Sequence, residues 1–127
     1  WGGGFLSGKY KRGERPPAGR ISIMPDHSEE AWHRRDNERN WDIIDAVGKI
    51  ADERGLTYSQ VALAWVKAQP LVSSIILGAR TLDQFEDNMK VADIHLTAEE
   101  LTLLDKASTL PDLYPYRMIE AYGRKLE

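Results

Sequence analysis

Apolar residues recur at helical spacing from about Asn37 onward: Ile43, Ile44, Val47, Ile50 and Ala51 share one face, and Gly55 follows Arg54 where a left-handed residue closes a helix. This predicts one amphipathic helix, and a second follows directly. Thr57 and Gln60 stand three apart as a capping box, Leu56 and Val61 occupy the hydrophobic-staple positions, and the stripe runs through Val61, Ala64, Trp65 and Ala68 until Pro70 stops it. Residues 72–77 are short, rich in β-branched side chains and bounded by Pro70 and Gly78, which predicts a strand, the one clear strand in the chain. Thr81 as N-cap, with Gln84 at the third helical position, opens a third helix expected to bury Leu82, Phe85 and Met89, with Ala92 next on that face. Thr97 and Glu100, set between Leu96 and Leu101, repeat the same grammar for a fourth helix continued by Leu104.

Residues 1–40 show little periodicity and are rich in Gly, Pro, Arg and Lys, so they read as a long basic loop. Loops of that length are lids, binding segments or disordered. The tail, residues 110–127, is aromatic and proline-rich, with a last helical turn or two predicted over 118–125. A lone strand among helices leaves its backbone groups without partners, which is costly when buried. The pattern is that of a fragment whose strand needs neighbours from elsewhere.

Composition narrows the function classes. A formal net charge of −3 gives no global field toward nucleic acid or an anionic membrane, so any anion site must be local. No apolar run is long enough to span a bilayer. Cysteine is absent, which excludes disulfides, thiolate metal sites and cysteine nucleophiles and makes a cytoplasmic setting the natural expectation. His27, His33 and His95 lack the spacing of metal ligands, so no metal is assigned. The chain starts at Trp1 with neither an initiator Met nor a signal-peptide pattern, and the natural start is expected upstream.

The chemistry concentrates where the predicted strand meets the third helix. A helix N-terminus presents unpaired N–H groups and a partial positive charge, so a phosphate is favoured there. Arg80 stands beside it with a guanidinium able to grip phosphate oxygens in pairs. Gln84 and Asn88, four apart, lie one above the other and carry amides suited to a purine edge. Two blander readings stand beside this one: Gln84 as the capping partner of Thr81, a role exclusive of base contact for the same side-chain conformation, and Arg80 as a solvated surface charge.

The run Ile75-Ile-Leu-Gly-Ala-Arg-Thr-Leu-Asp-Gln-Phe-Glu-Asp-Asn88, followed by Leu96-Thr-Ala-Glu-Glu-Leu101, closely resembles the end of aldo-keto reductases. Gly2-Gly-Gly-Phe-Leu-Ser-Gly-Lys-Tyr10 resembles the segment that leaves their seventh barrel strand. The resemblance implies an α/β fold, the C-terminal part of a (β/α)8 TIM barrel, and the 127 residues are about half of the ~250 typical of that fold. On this division 1–40 cover the cofactor, 41–109 hold the helices and last strand, and 110–127 form the tail.

The resemblance further implies NADP(H), with Gly78 and Arg80 at the 2′-phosphate and Gln84, Asp87 and Asn88 around the adenine and ribose. It assigns Gly2, Gly3, Ser7, Lys9 and Arg20 to a loop over the pyrophosphate, Arg20 across a one-residue insertion. Taken together, Lys9, Lys11, Arg12, Arg15 and Arg20 are more often a solvated face than a phosphate belt, with Lys9 alone fixed by its motif, and Trp65, Phe85 and Met89 are most simply core. Tyr114 and Tyr116 either line a substrate pocket or pack on the barrel.

The family's catalytic tetrad of Asp, Tyr, Lys and His belongs to its first four strands, and nothing here corresponds to it, so no catalytic residue is assigned. The implied function is NADP(H)-dependent carbonyl reduction by a parent enzyme acting on a small carbonyl substrate. The partners are the missing N-terminal half of the barrel or a second copy of the chain. The alternatives are a non-catalytic NADP(H)-sensing or interaction module and an inactive truncated fragment.

Overall fold

The computed structural model describes residues 2–29, 31–110, 115, 118–119 and 122–123. Its frame is α3, Glu38–Arg54, against which α4, Tyr58–Ala68, and α6, Ala98–Ser108, both pack. Two shorter helical turns, α1 at Arg20–Ile23 and α2 at Trp32–Arg35, precede it. Between α4 and α6 lie an irregular stretch, α5 at Leu82–Met89, and a 3₁₀ turn at Lys90–Asp93.

The helix ends follow the capping grammar. The Asn37 side chain accepts the Asn40 N–H at 3.0 Å to start α3, and Gly55 ends it at φ 62. Both capping boxes are complete. Gln60 reaches back to the Thr57 amide while Thr57 accepts the Gln60 amide, and Glu100 and Thr97 do the same for α6. Val47, Ile50, Ala51, Val61 and Leu104 join α3, α4 and α6 in one buried cluster. At both ends of the α3–α6 pair an arginine ties the helices: Arg39 donates to the Ser108 and Thr109 carbonyls, and Arg54 donates to the His95 carbonyl at 2.8 Å and to Glu100 at 3.1 Å. A cation over the last carbonyls of α6 also complements its dipole.

The structure departs from the sequence reading in three places. First, residues 72–77 form no strand, and the one bridge among the described residues, Lys11 with Glu14, is isolated. A strand is a paired object, and no neighbouring extended segment among the described residues pairs with this one. The side chains still alternate: Ile75 and Leu77 pack on the Leu63, Ala64 and Val91 cluster, while Ile76 is 99% exposed.

Second, α5 does not bury Leu82, Phe85 and Met89, which are exposed like Ala92, but sets Asn88 inward. Its short length and its hold on α4 through Asp87 turn the polar face to the protein.

Third, 1–40 is not a bare loop but packs a core against the start of α3. Phe5, Tyr10, Ile21, Trp32, Trp41 and Ile44 are buried together, Phe5 and Trp41 with ring centroids 4.9 Å apart. Single helical turns form there because each carries one of these anchors. The indole of Trp41 donates to Asp36 at 2.8 Å, satisfying its polar edge. Tyr114 and Tyr116, and half of the turn predicted over 118–125, lie outside the described residues, although Met118 and Ile119 both donate to the Pro115 carbonyl at 3.0 Å. No helix among the described residues is long and apolar enough to cross a membrane.

Candidate functional site

A cleft of about 950 Å³ is lined by Gly3, Gly4, Ser7, Lys9, Gly19, Arg20, Ile23, Ser59, Gly78, Arg80, Gln84, Asp87 and Asn88. Three distant stretches meet there because α4 contacts both the N-terminal 3₁₀ segment Gly2–Ser7 and α5. Gly3, Ser7, Lys9, Arg20, Gly78, Arg80, Gln84, Asp87 and Asn88, all singled out from the sequence, line it.

The N-terminal stretch is built around backbone that only glycine adopts readily. Gly3 and Gly4 have φ of 70 and 87, and their turn is closed by Ser7, whose hydroxyl donates to the Gly4 carbonyl at 2.7 Å. A methyl on Gly3 would come within 2.8 Å of the fully buried Ile21, and one on Gly4 within 3.0 Å of the Lys9 ammonium. Lys9 Nζ lies 5.0 Å from the centre of the Tyr10 ring, whose hydroxyl donates to the Gly3 carbonyl at 3.3 Å. The loop cation is therefore held beside the glycine turn by the aromatic core behind it.

The other stretch is the entry to α5. The Thr81 hydroxyl accepts the Gln84 amide at 3.3 Å as N-cap. The reciprocal arm is displaced, because Gln84 Oε1 accepts the N–H of Arg80 at 3.1 Å rather than that of Thr81. Gln84 thus closes the Gly78 to Arg80 turn across the cleft wall with its oxygen and keeps its amide nitrogen as a second, separate donor. The Arg80 guanidinium makes no ion pair among the described residues. Arg12, in contrast, pairs with Glu38 and Asp45 and lies over Trp41, away from the cleft.

Asp87 and Asn88 form the wall nearest α4. Both carboxylate oxygens of Asp87 are engaged: Gln60 Nε2 donates to one at 2.9 Å and the Thr57 hydroxyl to the other at 3.1 Å. Asn88 is buried to 9% exposure.

The sequence reading missed Gly4, Gly19, Ile23 and Ser59. Gly4 stands in the same glycine run, and Gly19 and Ile23 flank Arg20 before and one turn after, so adjacency was the available signal. Ser59 sits in the first turn of α4, and nothing in its local pattern says which way that helix end faces. The lining carries three cations, Lys9, Arg20 and Arg80, against one carboxylate, Asp87, in a chain of net charge −3. Such a cleft concentrates anions locally. No group of three or more metal-ligating side chains occurs among the described residues.

Residues 1–109 match the family model described as the Aldo/keto reductase family. The chain is 33% identical over 104 residues to Protein tas of Escherichia coli (strain K12), covering 82% of this chain and 29% of that protein. It is 36% identical over 98 residues to the probable voltage-gated potassium channel subunit beta of Arabidopsis thaliana, covering 72% of this chain and 27% of that one. With the L-glyceraldehyde 3-phosphate reductase of Escherichia coli O157:H7 it shares 27% identity over 104 residues, covering 81% of this chain and 30% of that enzyme. The chain therefore spans under a third of the length of these relatives.

Proposed function

The chain belongs to the aldo/keto reductase family, and on that premise we propose that its cleft is the 2′-phosphate and adenine end of an NADP(H) site in an oxidoreductase that reduces a carbonyl to an alcohol. The observation that carries this reading is the convergence of Arg80, Gln84, Asp87 and Asn88 with Ser7, Lys9 and Arg20 on one cationic cleft, although they are far apart in sequence. The residues present fit the group. The cleft's volume lies at the upper end of the range for small-molecule sites, and it combines cations for phosphates with amides for a base.

When bound, the dinucleotide supplies the hydride. Everything this chain contributes is binding and orientation. Arg80 meets a 2′-phosphate with a planar, doubly donating guanidinium, helped by the partial positive charge at the start of α5. The Gln84 amide nitrogen, Asn88 and the Asp87 carboxylate read the base and ribose. Lys9 and the glycine turn face the pyrophosphate, where the absence of Cβ atoms lets a ligand approach the backbone. Proton transfer to the carbonyl oxygen belongs to the tetrad of a longer polypeptide, in which these residues form the C-terminal part of a (β/α)8 barrel and 72–77 pair as its last strand.

A second reading has its own support. Relatives named as potassium channel subunits are as similar as the reductases, so a module that senses NADP(H) without turnover is the competing proposal. The intact polypeptide, given NADPH and a panel of aldehydes, separates the two: binding with turnover supports the enzyme, and binding without it supports the sensor. The shared cofactor assignment is tested by Arg80→Ala, which should weaken NADPH by about 1.5–3 kcal/mol, the range for hydrogen bonds to a charged group, and leave NADH nearly unchanged. Calorimetric titration that found equal losses for both cofactors would overturn it.

A further inference from the structure

We infer that Gln60 is the positioning residue for the adenine end of the cleft, acting through Asp87; the inference rests on the cofactor reading above. Gln60 is itself buried, at 5% exposure, and does not line the cleft. Its single amide does two separable things. The oxygen accepts the Thr57 N–H at 3.0 Å and completes the cap of α4. The nitrogen donates to the Asp87 carboxylate at 2.9 Å and to the Asp87 carbonyl at 3.2 Å.

The cap does not require that nitrogen. A capping box needs only an acceptor at its third helical position, and glutamate serves equally. The same chain shows this, since α6 uses Glu100 against Thr97 with a 2.7 Å bond to the cap amide. A glutamine at position 60 differs from that box only in carrying a donor, and the donor is spent on Asp87. The Thr57 hydroxyl completes the grip by donating to the second carboxylate oxygen while accepting the Gln60 amide. One helix cap therefore fixes both oxygens and the backbone of a cleft residue borne by another helix. With Gln60 buried behind the site, these bonds hold Asp87, and through the backbone its neighbour Asn88, in one orientation before any ligand arrives. Pre-setting that geometry avoids the ordering cost a free carboxylate would incur on binding.

The test is Gln60→Glu, which keeps the capping acceptor and replaces the donor with a carboxylate facing Asp87, combined with Asp87→Asn, whose amide can donate to a glutamate at position 60. Affinities for 2′,5′-ADP and for nicotinamide mononucleotide are measured on the intact polypeptide for both single variants and the double. Gln60→Glu should weaken 2′,5′-ADP by about tenfold or more when Asp87 is present, the size of a lost hydrogen bond to a charged group. In the Asp87→Asn background the same change should cost no more than about twofold, the scatter of independent effects. Nicotinamide mononucleotide should be unaffected throughout. Should Gln60→Glu fail to fold, Gln60→Met in the same cycle adds no charge; its loss of the cap acceptor is common to both backgrounds, so the cost should still be larger with Asp87 than with Asn at that position. Equal costs in both backgrounds, or equal losses for both ligand halves, would overturn the inference alone. An unmutated protein that did not bind 2′,5′-ADP would overturn the cofactor reading and this inference with it.

Discussion

Gly48 lies inside α3, where alanine is ordinarily the better helix former by about 1 kcal/mol. Here the preference should reverse. A Cβ at position 48 would fall 2.4 Å from the Tyr58 hydroxyl, and the same ring is packed so closely on Gly8 that a Cβ there would lie within 2.6 Å of it. Gly48→Ala is therefore expected to lower stability by about 1–3 kcal/mol, the usual cost of overpacking, and chemical denaturation of the variant checks it. A raised denaturation midpoint would show that the ring relaxes. At this scale the sequence was most informative where a side chain has one chemistry and one place to use it, as with Thr97 at the entry to α6. It was least informative where Gly8 and Gly48 had to be recognised as close neighbours of the Tyr58 ring, which comes later in the chain than either. Gln84 shows why the two roles weighed for it could not be separated in advance: its amide oxygen took a third, the N–H of Arg80.

Helix boundaries were legible in the chain because caps are local. Thr57, Thr81 and Thr97 accept the amide three residues on, as their spacing implied, and Asn37, not singled out as a cap, does the same. Facing was not legible for α5, since its apolar stripe is the exposed side, and the 72–77 segment kept its alternation without pairing. Both depend on what lies across from an element, which periodicity does not encode. A further expectation concerns the first turn of α6. The Glu99 carboxyl is held below its ordinary range by its own backbone N–H first and by the Thr97 hydroxyl second. A depressed folded-state value means stabilisation present above the unfolded value, about 4.3, and lost as pH falls through the folded one. Glu99→Gln should thus lower the melting temperature slightly at neutral pH and match the unmodified chain near pH 3, read by circular dichroism at the two pH values. A difference that persisted in acid would assign the effect to packing.

Over the whole molecule, apolar side chains are left in the open: Leu71 and Ile76 are 95% and 99% exposed, and Leu82, Phe85 and Met89 of α5 lie about half or more exposed. Monomeric proteins rarely leave such residues together in the open. The 127-residue chain on its own should therefore self-associate in a concentration-dependent way, and Ile76→Lys with Phe85→Glu should reduce the association in sedimentation velocity. A monomer at every concentration would refute this. The separation of charged cleft from apolar surface was not readable from charge or composition, because both are averages over a surface whose parts differ. The aromatic cluster behind the cleft has an optical consequence. Trp32 and Trp41 pack with Phe5 and Tyr10, and Tyr10 touches the cleft through the Gly3 carbonyl and the Lys9 ammonium. Any anion that draws Lys9 off that ring alters the field at the neighbouring indoles. Intrinsic emission is thus a label-free gauge of cleft occupancy, already wired into the fold.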